Sequence, residues 1–227
     1  FGIVFPVSNQ NYKLRFWLAA GGVHPGYYAD DNAEGSAMGD VETMVFPPTF
    51  MPTALKAELL DGFCVSEPWN QQVAVEGTGV PLVTDHQVWP LDPEKVFGVT
   101  KAFAEENPNT VRALVKALIR AGVWIDQSQE NREAAAALLT RERYVGLPED
   151  VVRPGLVGQF AFAPGEPRSA PEHSIYFRGF ATFPFYSDAV WTLTQMRRWG
   201  QIRDSKSDAW CDAVAREVYR PDIYLKA

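Results

Sequence analysis

Basic residues, cysteine and histidine are all scarce in this 227-residue chain, and each shortage removes a class of explanation. Lysine and arginine number 21 against 28 acidic residues, a net charge of -7. General binding to nucleic acid or to an anionic membrane needs a basic face, so those partners are excluded, although a local anion site is not. The two cysteines are Cys64, inside the apolar GFCVS, and Cys211, in a helical pattern; no disulfide framework can be read from them. Cys64 reads as a small core residue rather than a reactive thiolate. The three histidines, His24, His86 and His173, are far apart in loop-like settings and read as surface residues. No apolar run approaches the roughly 20 residues needed to cross a bilayer. Also absent are G-x-G-x-x-G, a P-loop, G-x-S-x-G and H-E-x-x-H. The acidic stretch ADDNAEGSAMGD lacks the spacing and closing glutamate of an EF-hand, which favours a solvated loop over a metal site. No enzyme, cofactor or metal is expected.

What is present is a globular composition, 46% hydrophobic, in a length sufficient for one large domain or two small lobes. The opening run FGIVF reads as a buried strand, and SNQN after it supplies cap oxygens for a helix over about 11–20, stopped by Gly21 and Gly22. Residues 23–40 are turn-rich and read as an exposed loop. VETMVF, GFCVS and VPLVTD then read as strands alternating with helices at 51–60, with Leu55, Leu59 and Leu60 inward, and at WNQQVAVEG. Such alternation predicts a parallel α/β arrangement. KVFGVT, from Lys95, is a further strand-like run, after which helices dominate. Asn107 and Pro108 open one with Val111, Leu114, Val115, Leu118, Ile119 and Gly122 on one face. An Ala-rich helix runs from Ser128 to about Arg143, and residues 144–184 are mostly irregular with one helix near 149–158. Two more helices, 187–200 and 207–219, close the chain. With no initiator Met, signal peptide or leading helix before Phe1, the chain reads as a segment of a longer or processed protein.

In an open α/β sheet, ligands bind beyond the carboxyl ends of strands, where helix N-termini present free N–H groups. SNQN after the first strand and SEPWN after GFCVS are two such junctions, placed to face one crevice. From the junctions alone, Ser8 and Asn9 read equally as helix caps, and Glu67 as a first-turn residue of its helix.

These residues carry a resemblance. SNQNYKLRFWLAAGG, FPPTFMPTALKAELLDGFCVSEPWNQQVAVEG, DPEKVFGVT, FPFYSDAVWTLTQMRRWGQI and VYRPDIY occur in order across nearly the whole chain. Together they resemble the nitrate- and bicarbonate-binding proteins of ABC transporters and their cytoplasmic nitrate-sensor relatives. The resemblance implies a type II periplasmic-binding-protein-like fold whose two lobes close on a small planar anion. Residues 1–90 then correspond to most of the second lobe and 91–227 to the return to the first, with the N-terminal part of the first lobe missing. It further implies ligand contacts at Gln10, where nitrate binders place histidine and bicarbonate binders can place glutamine. Ser66 stands where the family has glycine, and Lys95 matches a lysine that bicarbonate binders replace with an acidic residue and a calcium ion. Asn9 and Asn11 flank Gln10 and join the candidate set, while Glu67, Trp69 and Asn70 are expected to serve structure.

Lys95 would neutralise a buried monoanion directly, and nitrate requires donors only, which Lys95, backbone N–H groups and the Gln10 amide all provide. Gln10 can also accept, which suits bicarbonate. The expected function is a solute-binding protein that takes nitrate or nitrite and hands it to ABC transporter membrane subunits, in the periplasm or anchored outside the inner membrane. The alternatives are a cytoplasmic sensor acting on a regulatory protein and a bicarbonate-binding transport protein. A thiamine-pyrimidine synthase on the same fold would need a cysteine-rich segment that is absent here.

Overall fold

A computed structural model describes residues 1–29, 32–90, 92–202 and 206–227. The chain starts in β1 (Gly2–Ile3), which pairs in parallel with β4 (Met44–Val45), Gly2 opposite Met44. Phe63 adds a parallel bridge to Gly2, and Cys64 N donates to Gly2 O at 3.1 Å. Three of the expected strands therefore do meet, as short parallel contacts around β1. Between them come α1 (Asn9–Ala20) and an antiparallel hairpin of β2 (Tyr27–Ala29) and β3 (Asn32–Ala37). That hairpin corrects the expectation of a loop over 23–40: polar composition concealed the cross-strand pairing. Asp30 and Asp31 of the acidic stretch lie outside the described residues.

Two helices follow the expected positions, α2 (Met51–Lys56) and α3 (Trp69–Glu76), and a short α4 (Asp85–Val88) stands where no helix was expected. Helix α2 ends earlier than expected, and Leu59 is exposed while Leu60 is buried. VPLVTD and KVFGVT form no strand; Leu82 and Val96 are 76% and 72% exposed. The remaining helices are α5 (Lys101–Glu106), α6 (Pro108–Gln127), α7 (Gln129–Leu139) and α8 (Glu149–Val157). After them come the small hairpin β5 (Gln159–Ala161) and β6 (Pro167–Ser169), then α9 (Tyr186–Arg198), α10 (Asp208–Val218) and α11 (Pro221–Tyr224).

Capping chemistry marks the starts of α1, α7 and α10 in the sequence, and it also opens α5, which was not among the expected helices. The Ser8, Thr100, Ser128 and Ser207 hydroxyls each accept from the backbone N–H three residues on. Helix α1 is buried on nearly every side, so it is the hub of its region. Leu14 and Leu18 pack on Ile3, with Cys64 against the same cluster, and Tyr12 packs with Tyr28 and Trp199 beside α9. Cys64 is partly buried, packing against this cluster while also lining a crevice, and burial pushes its thiol up to about 12. Arg15, fully buried, spans the helix and the hairpin: it donates to Asn11 Oδ1 and to the Pro25 and Gly26 carbonyls and lies 4.4 Å over the Tyr28 ring. A second core joins Ala135 and Ala136 of α7 to Val152, Leu156 and Val157 of α8. The expected stripe on α6 is helical, with Val111 buried, but Leu114 and Leu118 are 41% and 48% exposed, and Leu118, Val115 and Ile119 border a crevice.

The two halves of the chain are tied together. The Gln71 side chain exchanges two hydrogen bonds with the Ala161 backbone, at 2.9 and 3.1 Å, and Tyr12 Oη donates to Gln201 Oε1 at 2.6 Å.

Candidate functional site

The first turn of α1 and the carboxyl end of the Gly62–Cys64 run are brought side by side because α1 follows β1 and the Gly62–Cys64 run is hydrogen-bonded to it. Gln10 thereby meets Ser66, its Nε2 donating to Ser66 Oγ at 2.8 Å. Residues 92–95 close the third side. Asn9 Nδ2 holds that segment by its backbone, donating to Pro93 O at 2.8 Å and Glu94 O at 3.4 Å. Lys95 Nζ then reaches Ser66 Oγ at 2.8 Å. The structure thus brings together Gln10, Ser66 and Lys95, with Asn9 as the strut that positions the segment bearing the lysine. Asn11 points elsewhere: it is fully buried, donates to Pro6 O and Tyr28 Oη at 2.7 Å each, and accepts from Arg15. Its polar atoms are spent on holding α1 to the hairpin.

Two groups escaped the sequence reading. Glu94 is the first: its Oε1 accepts from Gln10 Nε2, from Ser66 Oγ at 2.6 Å and from Lys95 Nζ at 2.7 Å, and its Oε2 accepts from Lys95 Nζ at 2.7 Å. The second is an ion triad under the site. Lys13, one turn beyond Gln10 and with a side chain only 6% exposed, pairs with Asp85 Oδ2 at 2.8 Å and with Asp92. Burial pushes the Lys13 ammonium down, but Asp85 and Asp92 outweigh it and hold the group above its ordinary value. Burial pushes the Asp92 carboxyl up. The signal for Lys13 was its i+3 spacing from Gln10 on α1. For Glu94 it was adjacency to Lys95, which says nothing about where the side chain turns.

Glu67 follows Ser66 directly. Its Oε1 accepts from Asn70 Nδ2 at 2.9 Å and its Oε2 from the Gln71 backbone at 3.2 Å, so it caps the start of α3 as expected. His173 Nε2 lies 3.9 Å away, and the His173 ring packs on Phe160 at 4.2 Å. Burial pushes Glu67 up to about 7 and His173 down to about 4, which makes a neutral pair the favoured state between those values. The His173 side chain is only 13% exposed, contrary to the expectation of a surface histidine.

The linkage signs are opposite. Glu67 binds protons more tightly when folded, so its contribution to stability falls as pH rises from about 4.5 to 7; His173 binds them less tightly, so its contribution rises from about 4 to 6.5. Replacing Glu67 by glutamine removes only the falling component, worth up to about 3 kcal/mol. Denaturant unfolding across pH 5 to 8 should therefore show Glu67→Gln gaining on the parent protein as pH rises. Parallel curves would contradict the assignment.

These groups line one crevice of about 2360 Å³, whose other walls include Val96, Phe97, Val115 and Leu118. Small-ligand pockets usually span about 300–1,000 Å³, so the polar cluster is one corner of a larger space. Among the described residues no cluster of three or more histidine, cysteine, aspartate or glutamate side chains is arranged to hold a metal.

Comparison with known proteins places this helix-rich α/β chain in a family. Residues 1–140 match the NMT1-like family, and the chain belongs to it. Its resemblance to nitrate- and bicarbonate-binding proteins of ABC transporters holds across the chain. It is 30% identical to the nitrate/nitrite binding protein NrtA of Synechocystis sp., over 99% of this chain and 47% of that protein. It is 35% identical to the bicarbonate transport ATP-binding protein CmpC of Synechocystis sp., over 100% of this chain and 31% of that protein. The crystal structure of the periplasmic nitrate-binding protein NrtA from Synechocystis superposes with a TM-score of 0.87 at 30% identity, covering 99% of this chain and 55% of that one. The chain thus spans about half the length of NrtA and a third of CmpC.

Proposed function

We infer that this protein is an anion-binding component of ABC transport that holds nitrate or nitrite, unchanged, at the Gln10, Ser66 and Lys95 corner of the crevice. The observation that carries this reading is the convergence of an amide, a hydroxyl and an ammonium on one point from three separate segments. All three supply N–H or O–H donors, which is what a planar anion without a proton requires. The Lys95 ammonium supplies the compensating charge. In the whole protein, residues 1–90 and 91–227 belong to different lobes, and closure over the crevice follows the population shift of a ligand that completes its contacts in the closed state. No helix among the described residues is long and apolar enough to cross a membrane. An extracytoplasmic site of action beside transporter membrane subunits fits the relatives named above.

Bicarbonate is the second reading, and Glu94 is what favours it: a carboxylate within the donor cluster can anchor a cation that in turn holds bicarbonate. Calorimetric titration of the full-length protein with nitrate tests the first reading; saturable heat without added calcium is expected, and its absence would overturn it.

A further inference from the structure

The donors that the reading above assigns to an anion already have one. Gln10 Nε2, Ser66 Oγ and Lys95 Nζ all donate to the carboxylate of Glu94, and all three meet at Oε1. An ionised carboxylate is a planar sp² anion that only accepts, with two oxygens flanking one carbon. It matches two arms of nitrate or bicarbonate in shape, charge and hydrogen-bonding sense. We propose that Glu94 is an internal surrogate ligand that occupies the anion site and must swing out before an external anion can enter. The proposal rests on the anion-site reading and adds a competitor to it.

The surrounding geometry permits this exchange. Glu94 reaches the site from the solvent side, its side chain 34% exposed, whereas Gln10 is 9% exposed. Its backbone is fixed independently of its carboxylate, since Asn9 Nδ2 donates to the carbonyls of Pro93 and Glu94 and Asp92 pairs with Lys13. Side-chain rotation alone therefore vacates the site while Lys95 remains in place. Ser66 is the pivot: its hydroxyl accepts from Gln10 and Lys95 and directs its single proton at Glu94. When the carboxylate leaves, that proton and the released Gln10 and Lys95 N–H groups face the incoming anion.

The consequence is an affinity set by competition. If the surrogate occupies the site most of the time, the apparent dissociation constant rises by the inverse of the vacant fraction. The same carboxylate returns to the donors as an anion departs, so a solute is released into a site that does not have to leave its donors unpaired. Affinity is lowered and release is eased, both of which suit a protein that must pass its cargo on.

Calorimetry of the full-length protein with nitrate, nitrite and bicarbonate, with and without calcium, on the parent, Glu94→Ala and Glu94→Asp decides the matter. Aspartate keeps the charge but is one methylene too short to reach Gln10 and Ser66 from the same backbone. The proposal expects both variants to bind nitrate roughly tenfold more tightly than the parent. Tightening in Glu94→Ala alone would mean that only local charge matters and would overturn it. So would unchanged or weaker binding in both variants, or loss of a calcium-dependent bicarbonate signal in Glu94→Ala, which would make Glu94 a cation anchor. If no anion binds to any of the three proteins, the anion-site reading fails and the surrogate falls with it.

Discussion

Replacing Lys95 by alanine is expected to weaken nitrate binding by roughly 10- to 100-fold while leaving thermal stability nearly unchanged. The affinity loss follows from removing a charge-assisted hydrogen bond, worth about 1.5–3 kcal/mol where the partner is charged. The small stability effect follows from exposure: the Lys95 side chain is 71% exposed, and its pairing with Glu94 is a surface contact screened by solvent. Titration and thermal unfolding of one preparation separate the two effects. Affinity retained within about twofold would show that the counter-charge lies elsewhere, and the Gln10, Ser66 and Lys95 corner would lose its assignment.

Lys13→Ala should do the reverse, costing about 3–5 kcal/mol of stability, because it strands a buried carboxylate without its partner. For a chain of this size that is a fall in Tm of roughly 10 °C. Lys13 and Asp92 have side chains only 6% and 10% exposed, so solvent cannot replace the lost ammonium. The deficit has a pH signature. Burial raises Asp92, and without Lys13 nothing near it opposes that rise, so protonation at acidic pH neutralises the stranded charge. The penalty, measured by denaturant unfolding, should shrink as pH falls below neutrality. Anion affinity should also drop, since Asp92 anchors the segment that delivers Glu94 and Lys95. A variant as stable as the parent at neutral pH would show that the triad is not a support of the site.

Helices were legible in this sequence because their signals are local. Ser8, Asn107 with Pro108, Ser128 and Ser207 each mark a start within a residue or two, and Gly21 marks a stop. Strands were less legible because pairing depends on partners far away in the chain. FGIVF, VETMVF and GFCVS found one another, whereas VPLVTD and KVFGVT, equally apolar, border the crevice unpaired. The hairpin at 27–37 was hidden by its polar letters for the same reason.

The site divides along similar lines. Gln10, Ser66 and Lys95 could be picked out because they fall in blocks that resemble the nitrate- and bicarbonate-binding family, not because of any local structural signal of their own. Asn11 shares the block and yet faces the interior, since one residue along a helix turns the side chain by about 100°. Glu94 could not be assigned from letters at all: the same Glu-Lys pair is compatible with a side chain in solvent or in the cluster, and only its contacts decide.

This corner is expected to bind a planar anion through Lys95 rather than through a bound cation. Isothermal calorimetry of the full-length protein against nitrate and bicarbonate, with and without calcium, tests it most directly. Saturable nitrate binding that calcium does not alter is the expected result; calcium-dependent bicarbonate binding with no response to nitrate would contradict it.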